Sequence, residues 1–128
     1  MDTHPTFRVT VDMDRGCFET AMQGFWTLET LADFRRALED AVARIRATGR
    51  EPVSLCDYSG AMVQSQEVVA GFIAMMADPA VRSQRVAVYT GAALTRLQAE
   101  RANRDHAEFR YFVDRDAALA WLFSAEGA

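Results

Sequence analysis

The chain has 128 residues, 50% hydrophobic and 25% charged, which is the length and balance of one globular domain. A net charge of -4 argues against a nucleic-acid-binding face, which shows as a basic surplus or stripe. No apolar run approaches the ~20 residues of a membrane span, and Met1–Pro5 lacks a basic segment followed by an apolar one, so no signal peptide is expected and a cytoplasmic protein is. All 14 strongly basic residues are arginine. Without lysine, neither Schiff-base chemistry nor a phosphate-loop lysine is available.

In chain order, Phe7, Val9, Val11 and Met13 alternate with polar residues, the period of a half-buried strand. Asp14-Arg15-Gly16 turns the chain, and a second strand over Cys17–Gln23 completes an antiparallel hairpin. Thr27 is placed to cap a long helix, whose Leu28, Leu31, Phe34, Leu38, Ala41, Val42 and Ile45 form one apolar stripe ending before Gly49. Val53–Asp57 lacks polar alternation and reads as a central strand covered on both faces. Tyr58-Ser59-Gly60 reads as a turn, leading through a loop to a second helix over Ser65–Ala77, stopped by Asp78-Pro79. A strand over Arg85–Thr90, a polar helix over Ala93–Arg104, a strand over Glu108–Val113 and a closing helix capped by Asp114 complete the order. The whole chain, 1–128, is expected to be a single α/β domain. It is expected to hold a mixed sheet of about five strands with four helices, and loose ends at 1–5 and 124–128.

The two cysteines, Cys17 and Cys56, read as reduced thiols in strands; sequence leaves a disulfide between them open. Neither His4 nor His106 has the paired spacing of a metal site, and no dinucleotide fingerprint or nucleophile elbow appears. No cofactor, metal or catalytic residue is therefore assigned. Asp57, Tyr58 and Ser59 cluster at a strand end, with Thr90 ending the next strand, but no positioned base accompanies them. Locally, Asp57 would accept turn N–H groups as an Asx turn. Phe25 and Trp26 sit at a strand–helix junction; they serve the core, or Trp26 is exposed as part of a contact surface.

With the hairpin ending in Gly24-Phe25-Trp26-Thr27, the strand ending in Asp57-Tyr58-Ser59, the helix from Ser65, Arg85-Val86-Ala87-Val88 and the closing Ala118-Leu119-Ala120-Trp121-Leu122, the chain resembles small bacterial proteins of the SpoIIAA-like (STAS, or STAS/CRAL-TRIO-like) group. In anti-sigma-factor antagonists of that fold, a serine opening the helix after the central strand is phosphorylated by a partner kinase. The resemblance places that serine at Ser65. This sequence departs from the pattern in having Gln64 at the acidic position, Gln66 at the second serine and Glu67 at the glycine. A serine there is also a common helix N-cap. The resemblance to lipid-binding relatives implies a second use: Trp26, Phe72, Ile73, Met75 and Met76 would line a pocket for a small apolar or lipid-like ligand. Core packing needs the same residues.

Two functions follow as expectations. The first is a non-enzymatic regulatory or interaction module, meeting a protein partner through Asp57, Tyr58, Ser59 and Ser65. The second is a carrier of a small apolar ligand. Methionines and aromatics in excess of what the core clearly needs also suggest a homodimer.

Overall fold

The computed structural model describes residues 3–124. Ten short elements alternate along the chain: β1 (Thr6–Asp12), β2 (Cys17–Gly24), α1 (Leu28–Arg46), β3 (Val53–Ala61), α2 (Gln66–Met76), a 3-10 turn (Pro79–Val81), β4 (Arg85–Tyr89), α3 (Ala93–Ala102), β5 (Phe109–Phe112) and α4 (Arg115–Leu122). The strands form one mixed sheet in the order β1-β2-β3-β4-β5, with β1 antiparallel to β2 and the rest parallel.

That order dictates where the helices go. A parallel crossover is right-handed almost without exception, and here each successive crossover moves one strand in the same direction. All three crossover helices, α1, α2 and α3, therefore land on one face. They cover Phe18, Thr20 and Met22 of β2, Ser54, Cys56 and Tyr58 of β3, and Val86 and Val88 of β4. The last helix, α4, crosses to no further strand. It packs on the opposite face, where Ala118 and Leu122 cover Val53, Leu55 and Ala87. Because the parallel strands never reverse their order, the sheet has no topological switch point, the place where open α/β sheets usually hold ligands.

The main core lies under α1. Leu31, Phe34, Leu38, Ala41, Val42 and Ile45 are all buried there, as their spacing predicts, whereas Leu28, the first residue of the expected stripe, is 46% exposed in the opening turn. Thr27 caps this helix by accepting from the Thr30 N–H at 3.1 Å. Trp26 is only 1% exposed. It stacks on Phe72 (5.7 Å between centroids) and meets Phe34 and Phe7 at 5.0 and 5.9 Å, while its indole N–H donates to the Gln23 carbonyl at 3.0 Å. Of the two readings of this junction, Trp26 takes the core and Phe25 stays exposed.

Two expectations change. The central strand does not turn at Tyr58; it runs on to Ala61, because β2 continues to Gly24 and supplies ladder partners beyond Asp57 (Gln23 opposite Gly60, Gly24 opposite Ala61). The expected loose ends fall mostly on residues 1, 2 and 125–128, outside the described residues. The adjoining segments are tied down: the Thr3 carbonyl accepts from Phe25 N–H at 3.0 Å, and the Ser124 hydroxyl donates to the Trp121 carbonyl at 2.9 Å.

Candidate functional site

The extra length of β3 redistributes the residues that sequence grouped together. Side chains alternate across a strand. Asp57 therefore leaves the sheet on the α4 side, while Tyr58 leaves on the side of α1, α2 and α3 and joins the core there. The Asx contact is present: Asp57 Oδ1 accepts from the Ser59 N–H at 2.8 Å and from the Ser59 hydroxyl. The residue beside Asp57 on β4 is Tyr89, its register partner. Thr90 instead accepts from the Ala92 N–H at 3.1 Å and is buried. Burial, with the Asp57 charge second, raises the Tyr89 pKa; burial likewise pushes Tyr58 well above the ordinary phenol value. Asp57 and Ser59 therefore belong to one face of the sheet, and Tyr58 and the α2 residues to the other.

Ser65 sits at the N-cap of α2, half-buried, and its Oγ accepts from the Val68 N–H at 3.2 Å. The residue before it holds this whole corner in place. Gln64 Oε1 accepts from the Trp26 N–H at 2.7 Å, and Nε2 donates to the carbonyls of Gly24 (3.0 Å) and Met62 (2.6 Å). The Gln64 backbone is clasped by Gln98 of α3, which accepts from the Gln64 N–H at 2.7 Å and donates to its carbonyl at 2.9 Å. Four of these five hydrogen bonds fasten one loop residue to two other segments; the fifth, to Met62, is local. No local pattern signals this, because the four long-range partners lie 34 to 40 residues away.

Beneath α2 is a cavity of about 70 Å³, lined by Phe72, Met75, Met76 and Tyr58 together with Thr20, Cys56 and Phe109. Two expected lining residues are elsewhere. Ile73 is 48% exposed on the outer side of α2, and Trp26 is sealed in its aromatic cluster. Phe72 connects the two regions, stacking on Trp26 and lining the cavity. No charged side chain lines it. Thr20 is 2% exposed, and its hydroxyl has no hydrogen-bond partner. Burial, the largest cause, raises the Cys56 thiol to about 11.

Cys17 is also pushed to about 11, mainly by burial. It faces α4 while Cys56 faces the cavity; the two are free and on opposite faces of the sheet, which settles the open disulfide question against pairing. His106 Nδ1 lies 3.1 Å from Glu108. Among the described residues no cluster of three metal-ligating side chains occurs, and no helix is long and apolar enough to cross a membrane.

Comparison with solved structures gives the fold its name. An uncharacterized DUF3478-family protein with a SpoIIAA-like fold from Shewanella loihica PV-4 superposes with a TM-score of 0.73 at 21% identity, over 95% of this chain and 98% of that one. The fold is SpoIIAA-like. An anti-sigma factor antagonist from Mycobacterium paratuberculosis superposes with a TM-score of 0.63 at 16% identity, over 93% of this chain and 96% of that one. No protein-family model matches the sequence, and comparison with curated proteins returns no match. The SpoIIAA-like fold accounts for the hairpin, the unreversed parallel sheet and the helix that opens at Ser65.

Proposed function

We propose that this SpoIIAA-like chain is a non-enzymatic, cytoplasmic regulatory module that meets a protein partner at the corner formed by residues 62–65, the first turn of α2 and the adjacent flank of α3. The observation that carries this reading is the clasp at Gln64. It holds an exposed apolar surface in a fixed shape, so little ordering entropy is lost on binding. Val63, next to the clasp, is 44% exposed. Leu94 lies one turn from Gln98, and Leu97 follows three residues on, so both share a flank of α3; they are 69% and 47% exposed. An apolar surface of this kind, rimmed by polar residues, is typical of interaction sites. Similarity to an anti-sigma factor antagonist points the same way at the level of fold. Ser65 is the proposed switch point: a phosphate there would sit at the favourable end of the α2 dipole and meet the repulsion of Glu67 in the first turn. Asp57 and Ser59, on the other face, would serve only a partner that wraps around the sheet end.

The test uses a photo-reactive amino acid placed at Val63, Leu97 or Arg8 in cells of the source organism, followed by intact mass measurement. Arg8 is the control, exposed on the edge strand β1. One defined adduct from Val63 and Leu97 but not from Arg8 supports the corner as the contact surface; a doubled mass identifies the partner as a second copy. Equal labelling at all three positions, or none, rejects it. The same spectra read a phosphate on Ser65 directly.

A second reading, the carrier of a small apolar molecule, is favoured by the cavity under α2. At about 70 Å³ the cavity is roughly half the ~150 Å³ of an engineered cavity that holds benzene. It fits a molecule of a few heavy atoms, far less than a lipid.

A further inference from the structure

The cavity under α2 is almost wholly apolar, yet its floor carries a buried hydroxyl with nothing to bond. Thr20 Oγ1 is sealed from solvent and without a partner, and a group in that condition costs stability until something satisfies it. Water is a less complete answer: a buried water needs two to four polar partners, and of the other polar side chains in the lining Gln64, Thr95, Gln98 and Asn103 already bond to backbone carbonyls. A charged ligand is a worse one, because no charged side chain lines the space to offset its desolvation. Cys56, paired in register with Thr20 across β2 and β3, adds a neutral thiol to the floor. Among the residues lining the cavity, Thr20 is the one whose buried side-chain oxygen is left without a hydrogen-bond partner.

We infer that the cavity binds a small uncharged molecule with a short apolar body and one hydrogen-bonding oxygen, such as a short-chain alcohol, aldehyde or ketone, anchored on the Thr20 hydroxyl. This deepens the carrier reading and rests on it. The oxygen exchanges a hydrogen bond with Thr20 Oγ1, and the carbon body packs on Met75 and Met76, whose flexible thioethers adapt to its shape.

The experiment titrates 1-propanol and 1-chloropropane, similar in size but only the first a good hydrogen-bonding partner, into protein carrying carbon-13-labelled methionine methyl groups. Met75 and Met76 report the cavity, and Met13, exposed in the hairpin turn, reports non-specific effects. The expected result is saturable shifts at Met75 and Met76 with both probes. Thr20→Val should weaken 1-propanol about fivefold, the scale of one net hydrogen bond, and leave 1-chloropropane unchanged. Thr20→Ser, which keeps the hydroxyl, should bind 1-propanol like the wild type. If both probes bind wild type and Thr20→Val alike, anchoring at Thr20 is overturned while the carrier reading survives. If neither probe shifts Met75 or Met76, both are overturned.

Discussion

Replacing Gln64 by glutamate changes one NH2 group to an oxygen, and the structure sets what that costs. In the native corner, Nε2 donates to the Gly24 carbonyl at 3.0 Å and to the Met62 carbonyl at 2.6 Å, while Oε1 accepts from Trp26 N–H at 2.7 Å. A carboxylate keeps the Trp26 bond and strengthens it by its charge. It loses both donations and sets an anionic oxygen against two carbonyl oxygens. Two lost bonds at about 1 kcal/mol each, plus repulsion between the oxygens, less about 1 kcal/mol for the strengthened bond, give a net loss of about 2–4 kcal/mol at pH 7. Protonation restores one donor, so folding raises the pKa of the introduced carboxyl. The sign then follows: the variant is nearest the wild type below the unfolded pKa of about 4.3, and it loses stability as pH rises through the raised folded value. Urea denaturation at pH 4 and pH 7 measures both quantities. Gln64→Ala is the control, expected to be destabilised without this pH dependence. If Gln64→Glu lies within about 0.5 kcal/mol of the wild type at pH 7, or its deficit does not shrink at pH 4, the clasp does not carry the weight assigned to it. An acidic side chain at position 64 would thus be mispaired against the Gly24 and Met62 carbonyls.

Other substitutions test other parts of the structure. Gly24→Ala should cost about 2–4 kcal/mol in urea denaturation, because φ is +81° and the new methyl would lie 2.3 Å from the His4 carbonyl oxygen. Gly49→Ala, with φ +86° and open space around it, should cost only the left-handed strain of about 1 kcal/mol; equal losses at the two sites would refute the collision. In the ligand-free protein Thr20→Val should raise stability by about 1 kcal/mol, since it removes an unpaired buried hydroxyl, and a fall would mean that the hydroxyl is satisfied. The Ala80 N–H and then Arg35 hold the Asp78 carboxyl below its usual range. Its contribution is therefore present above the unfolded pKa and lost as pH falls through the folded one. Asp78→Asn should be less stable than the wild type at neutral pH and converge with it in acid. Both thiols, raised to about 11, should react slowly with a disulfide reagent at pH 8 and rapidly after unfolding; a fast native reaction would contradict their burial.

Much of the fold was legible because local rules and tertiary demands agree. The stripe from Leu28 to Ile45 predicts both a helix and the face it buries, and six of its seven residues are buried, with Leu28 in the first turn exposed. Thr27, Ser65 and Asp114 each cap the helix that the sequence places after them. The error at Tyr58 has a definite source. Tyr58-Ser59-Gly60 has turn composition, and composition wins unless a neighbouring strand offers a ladder. Here β2 offers one as far as Gly24, so the strand continues and its two-residue period parts Asp57 from Tyr58. The wide apolar arc of α2 makes Ile73 look like a cavity residue, but a helix so apolar does not declare which side α3 leaves open.

The order of the elements, the apolar faces and the helix starts are local properties of the chain, because they depend on residues within a turn or two of one another. One-directional crossovers then put three helices on one face, and handedness alone suffices to explain it. That Gln64 fastens the corner, that Thr20 is left unpaired and that a small cavity remains beneath Met75 and Met76 emerge only once the segments are packed together. Each depends on atoms from segments far apart in the chain, and no periodicity or local preference encodes where a long-range hydrogen bond closes or where packing falls short.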